Sequence, residues 1–209
     1  LAIGDAQAAE PVRVLLSGPL DALAAPLFEA SARNQMRKDK LDIAVRPGKS
    51  SADTLARLAA HEADIALIDM NALIRYREQA DAAPIKAIYA LGSRSPYSII
   101  ARKSRGIAAL ADLSGKKIAA SESDLADINW LHFAKINNLD LTKTKLEKIS
   151  SAVREPLLAA GQVDAVIGLA TQTAVNLKDR GVPASDLLVL NIATHDYPLY
   201  GLVVAIDPQ

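Results

Sequence analysis

The chain has no cysteine among its 209 residues. That excludes disulfides, thiolate zinc sites, iron–sulfur clusters and cysteine nucleophiles together. Aromatic residues are scarce, at 4% of the chain, and no basic run with interleaved aromatics occurs. Net charge of one sign is missing too: 24 Lys and Arg balance 24 Asp and Glu. Nothing therefore draws the chain to nucleic acid or anionic lipid by charge alone. No apolar stretch approaches the roughly 20 residues that span a bilayer. Half the residues are nonetheless hydrophobic, which is enough to bury the cores of two small domains.

Catalytic motifs are also missing. His61, His132 and His195 do not stand at HxxxH or HExxH spacing, so no metal site is expected. There is no GxSxG elbow, Walker-type loop or GxGxxG. His195-Asp196 is an unpromising base and orienter, because adjacent residues seldom bond in that way and no nucleophile accompanies them. The chain is expected to be no enzyme, with no catalytic residue and no cofactor.

What is present is alternation of strand and helix patterns. Val12–Leu16, Leu41–Val45, Asp64–Ile68 and Ile85–Leu91 read as strands. The spacing of Leu20, Leu23, Ala24, Leu27, Phe28 and Ser31 predicts a helix after the first, and Ala52–Ala60 and Met70–Gln79 read as helices. The programme then restarts. Lys116–Ala120, Leu146–Ile149, Val163–Ile167, Leu187–Leu190 and Gly201–Ile206 are predicted strands. Asp124–Asn137, Ala152–Ala160 and Gln172–Arg180 are predicted helices, with Ile128, Leu131, Phe133, Ala134 and Ile136 on one apolar side of the first. Gly161 and Gly181 stand where a helix C-terminus favours glycine. Such alternation predicts mostly parallel sheets flanked by helices.

The halves echo each other. Leu55–Ile68 and Leu157–Ile167 both read as helix, tight turn, Asp, buried strand. The expected domains are a leader at 1–10, a first lobe at 11–101, a second at 102–203 and a return crossover at 204–209. Ser98–Arg102 is expected to cross between the lobes and Leu202–Ile206 to cross back, leaving the first lobe unfinished at Gln209. Ala6-Gln7-Ala8, before Glu10-Pro11, has the small-x-small form of a signal-peptidase site. It points to export and a periplasmic or extracytoplasmic, lipid-free soluble protein.

Several stretches resemble type II substrate-binding proteins of ABC transporters, in the NMT1/THI5-like branch that includes nitrate, sulfonate and taurine receptors. Asp112–Ala119 resembles the DLKGKKIAV-type opening of the second lobe. Trp130–Asp140 is similar to WxxFAKxNxID, and Leu157–Val166 to ALLxGQVDAV. Leu199-Tyr200-Gly201 matches the start of LYGN, with Leu202 where Asn is common. Gly48–Ile68 resembles a first-lobe stretch in which His61 replaces the usual glycine. Together these cover residues 12 to 206.

The resemblance implies a two-lobed periplasmic-binding-protein-like clamshell with the C-terminal part of the first lobe missing. Its implied role is to capture a small molecule without altering it and pass it to an ABC permease and its ATPase. The implied ligand is a sulfonate, nitrate, pyrimidine or small carboxylate. Strand C-termini and helix N-termini then supply the candidate ligand contacts. These are Ser17, Gly18 and Pro19; Ser50 and Ser51, at a helix start suited to an anion; Asp69; Ser95 and Tyr97; Ser121 and Ser123; Gly168 and Thr171; and Tyr200 from the LYGN match. Ser50, Ser51, Asp69, Ser121 and Ser123 serve equally well as helix caps, and Trp130 as core. Lys49 and Arg94 are the cations available to an anion. Three rival roles remain: the ligand-sensing domain of a signalling receptor, a TRAP-type receptor, and a THI5-like pyrimidine synthase. The last is disfavoured because those enzymes carry a cysteine-rich motif.

Overall fold

The computed structural model describes residues 11–20, 24–33, 35–38 and 41–209. The leader, the signal-peptidase-like site and Leu23 lie outside them. The chain divides into two compact units: one runs to Ala90 and resumes at Val203, and the other is Leu91–Leu202.

Unit 1 contains β1 (Val12–Leu16), α1 (Ala25–Ala32), α2 (Gln35–Lys38), β2 (Ile43–Arg46), α3 (Ser51–Ala59), β3 (Ile65–Asp69), α4 (Met70–Arg77), β4 (Lys86–Ala90) and most of β10 (Leu202–Ile206). Its five-stranded sheet has the order β2-β1-β3-β10-β4, with β1 parallel to both β2 and β3 and β10 antiparallel to β4. Unit 2 contains β5 (Tyr97–Arg102), β6 (Lys117–Ala120), α5 (Glu122–Asp127), α6 (Trp130–Ile136), β7 (Lys145–Lys148), α7 (Arg154–Ala159), β8 (Ala165–Leu169), α8 (Ala170–Lys178) and β9 (Leu187–Asn191). Its sheet has the order β7-β6-β8-β5-β9; β6 runs parallel to β7 and β8, and β5 antiparallel to β8 and β9. Both sheets are mixed, because the chain enters unit 2 and re-enters unit 1 on an antiparallel strand.

The boundary between units falls after Ala90 rather than after residue 101. Ser98–Arg102 does not cross between units: it is part of β5, flanked by β8 and β9. Alternation along β5 sends Ile99 into one apolar cluster with Phe133 and Ile167, and Ile100 into another with Leu158 and Leu177. A strand buried on both faces reads as a continuous apolar run, and Ile99-Ile100-Ala101 is one. Each fully buried Leu, Ile or Phe contributes about 1.5–3 kcal/mol.

Both halves build the same turn before the third parallel strand. His61 and Gly161 take left-handed φ values of 57° and 67°. Glu62 N and Gln162 N then bond back to Arg57 O and Leu157 O. Next, Asp64 and Asp164 use carboxylate oxygens to accept the backbone N–H of Arg13 (2.7 Å) and Lys117 (2.9 Å) in the neighbouring strand. The Asp thereby fixes strand register in each unit.

The long helix expected at Asp124–Asn137 is two helices. Asn129, at φ 47°, ends α5 and restarts the chain as α6. The restart keeps Trp130 and Phe133 in the core, stacked at 5.8 Å, but turns Leu131 out to solvent.

Candidate functional site

In unit 1 the carboxyl ends of β1 and β3 meet the starts of α3 and α4. Gly48 N donates to Gly18 O at 3.1 Å, which brings the loop before α3 against Ser17, Gly18 and Pro19. Thr54 Oγ1, fully buried on α3, donates to Leu16 O at 2.9 Å. The approach is tight: a Cβ on Gly48 would stand 2.1 Å from Leu16 O and 2.5 Å from Thr54 Oγ1. Only glycine fits there.

Ser50 caps α3 by accepting from Asp53 N at 3.2 Å. Ser51 Oγ accepts from Asp69 N at 3.1 Å. Asp69 in turn caps α4: its Oδ1 accepts from Asn71 N (2.8 Å), Asn71 Nδ2 (3.0 Å) and Ala72 N (3.3 Å). Burial raises the Asp69 carboxyl above its usual range, opposed by the bonds from Asn71 and Ala72 and by the Arg75 charge. The structure therefore brings Ser17 to Pro19, Ser50, Ser51 and Asp69 together, with three of them engaged as caps or braces. Among the described residues nothing bonds to Asp69 Oδ2.

In unit 2 the ends of β6 and β8 do the same. Ser121 caps α5 through Asp124 N at 3.1 Å, and its Oγ lies 3.0 Å from Ser123 Oγ. Gly168 stands in β8 opposite Ser98. Thr171 is exposed in the first turn of α8, which begins two residues earlier than the pattern predicts. Ser95 is buried, donating from N to Leu199 O at 2.9 Å and accepting from Tyr97 N. Tyr97 packs on the core, while Tyr200 is 57% exposed. The two segments at the unit boundary are tied together, with Leu91 N and Gly92 N donating to Leu202 O and Gly201 N to Gly92 O. A Cβ on Gly201 would meet Arg94 O at 2.4 Å, which accounts for glycine in the Leu199-Tyr200-Gly201 motif. Lys49 and Arg94 are both exposed.

A further polar group lies in unit 2 and was not anticipated. Arg154, at the start of α7, is buried over Gly168, where a Cβ would stand 2.5 Å from its Nη1. Its Nη1 reaches Asp124 Oδ2 at 3.1 Å, and its Nε and Nη2 reach Glu155 Oε1 at 3.0 Å each. Thr173 Oγ1 on α8 donates to the same Glu155 oxygen at 3.1 Å. The strand-end rule that selects Ser121 also selects this place, because α7 follows β7; the Arg154-Glu155 pair reads locally as an ordinary helix start. Ser98 Oγ, fully buried, has no hydrogen-bond partner among the described residues. No group of three or more His, Cys, Asp or Glu side chains there is arranged to hold a metal ion.

The sequence profile of the family described as NMT1/THI5-like matches residues 23–207. The chain belongs to this family. A Haemophilus influenzae protein, provisionally named a thiamine biosynthesis protein, is 27% identical over 88% of this chain and 62% of its own length. Among solved structures, the periplasmic aliphatic sulphonate-binding protein SsuA of Escherichia coli superposes with a TM-score of 0.71 at 17% identity. The alkanesulfonate-binding SsuA of Xanthomonas axonopodis pv. citri, bound to MOPS, gives 0.66 at 17% identity. Each match covers 95% of this chain and 65% of the other. The fold of this family member is thus that of type II periplasmic binding proteins, and it spans less than two thirds of these relatives' lengths. Among the described residues no helix is long and apolar enough to cross a membrane.

Proposed function

We propose that this chain is the ligand-capturing part of an extracytoplasmic solute receptor. It captures a small molecule and delivers it, unaltered, to an ABC importer. One observation carries the reading: two α/β units of like strand order, joined by two chain crossings at 90/91 and 202/203. Each unit brings hydroxyls, caps and a carboxylate to the ends of its parallel strands. A ligand stabilises the conformation that binds it better, and shifts the population by that differential affinity. The permease then reads the shifted population.

The direct test is a thermal-shift screen of sulfonates, nitrate, pyrimidines and small carboxylates. A ligand at about 100 times its Kd raises stability by about 2.7 kcal/mol. Tyr200→Ala is the cleanest site variant, since the side chain is exposed; it should keep the unliganded melt and lose ligand response. An unchanged response removes Tyr200 from the site.

The Haemophilus relative favours a second reading, in which the cargo is a thiamine precursor. Recovery of a pyrimidine unchanged after binding fits a carrier, and recovery of a converted product fits a synthase. The pyrimidine synthases of this branch carry a cysteine-rich motif, and this chain has no cysteine.

A further inference from the structure

Unit 2 buries an uneven set of charges. The Arg154 guanidinium meets two carboxylates, Asp124 and Glu155, and all three side chains are largely shut off from solvent. Among the described residues the ion pairs of both carboxylates run to Arg154 alone. The bonds to Glu155 all end on Oε1, and that to Asp124 on Oδ2. Among the described residues no bond ends on Oε2 of Glu155 or Oδ1 of Asp124, and neither is both fully buried and unpartnered, as Ser98 Oγ is. A net negative charge held away from water is costly unless a cation or donor meets it.

A second observation bears on the same place. Ser98 is opposite Gly168 in the β5–β8 ladder, and cross-strand partners share a face of the sheet. On that face the guanidinium covers Gly168. The Ser98 side chain therefore lies on the face that the guanidinium covers, and its hydroxyl is fully buried and without a partner among the described residues. Buried hydroxyls are nearly always bonded, so this one marks an interaction that the unliganded arrangement leaves unmade.

We infer that Asp124, Glu155 and Ser98 form a subsite for a positively charged or N–H-donating nitrogen of the ligand. The nitrogen takes carboxylate oxygens of Asp124 and Glu155, and the Arg154 guanidinium, drawn partly off them, finds Ser98 Oγ as its new acceptor. An anion meets an arginine already matched by two carboxylates, so a simple sulfonate gains little here. The inference rests on the receptor reading and names the chemistry of its cargo.

The test is a thermal-shift panel on the whole chain, sorted by charge. Its cationic and N–H-donating arm includes agmatine, putrescine and benzamidine; its anionic arm includes ethanesulfonate, isethionate and nitrate. Hits are titrated against Ser98→Ala and Glu155→Gln. Ser98→Ala removes an unbonded hydroxyl, so it folds at the parent melting temperature or above. The expected result is binding confined to molecules with such a nitrogen, weakened about tenfold in Ser98→Ala, the scale of one hydrogen bond to a charged group, and more in Glu155→Gln. Nitrogen ligands that bind both variants as tightly as the parent overturn the subsite. Hits confined to the anionic arm overturn the charge assignment and leave the receptor reading intact. No hit in either arm overturns the subsite, and the receptor reading falls with it only if the pyrimidines and small carboxylates of the wider screen fail as well.

Discussion

Replacing Gly48 by alanine tests whether the loop before α3 is pinned as described. The added Cβ would stand 2.1 Å from Leu16 O and 2.5 Å from Thr54 Oγ1. Real Cβ atoms do not come that close, and the nearer atom is strand backbone that cannot swing aside. The loop must move out, and the 2.9 Å bond from Thr54 Oγ1 to Leu16 O goes with it. Leaving that buried acceptor unpaired costs about 1–3 kcal/mol. Residual overpacking costs a similar amount. About 3 kcal/mol in all lowers the melting temperature by roughly 6–12 °C for a chain of this size. Urea unfolding followed by circular dichroism gives the free energy directly. Thr54→Val removes the same hydrogen bond, so the double variant should lose clearly less than the sum of the singles. A Gly48→Ala protein within about 0.5 kcal/mol of the parent, a surface-substitution effect, refutes the close approach.

Other expectations are as checkable. His61→Gly relieves a left-handed φ of 57° and should stabilise by about 1 kcal/mol, seen as a raised urea midpoint. Asp69→Asn keeps the cap acceptor while removing a charge that burial disfavours; at neutral pH it should melt at or above the parent, whereas Asp69→Ala should lose about 1 kcal/mol. Asp186 accepts from Ser104 N, Arg102 Nε and Ser104 Oγ, which hold its carboxyl at about 2. A folded pKa below the unfolded one gives stability that is present above about pH 4 and lost as pH falls toward about 2. Asp186→Asn should flatten that part of the stability–pH curve, and an unchanged acid limb contradicts the pairing. Arg154→Met strands two buried carboxylates and should cost about 3–5 kcal/mol in urea unfolding at neutral pH.

Much of the fold was legible because the apolar runs are short and cleanly punctuated. Val12–Leu16, Asp64–Ile68 and Val163–Ile167 announce buried parallel strands, and Gly161 and Gly181 close their helices with φ values of 67° and 80°. Pairing is what the one-dimensional pattern does not carry. Ser98–Arg102 reads as an extended segment crossing between the lobes, whereas its place in β5 between β8 and β9 rests on contacts with residues far along the chain. The break at Asn129 was hidden for a related reason, since an apolar helical stripe continues through it. Strand ends pointed to Ser50, Asp69 and Ser121, and all three are helix caps. Arg154 and Glu155 stayed invisible because a charged pair in a first turn is commonplace, and only tertiary burial makes it otherwise.

The receptor reading is tested most directly by isothermal titration of the best thermal-shift hit, followed by mass spectrometry of the ligand recovered from the protein. The account predicts one ligand bound per chain and returned chemically unchanged. Binding of none, or return of a converted molecule, contradicts it.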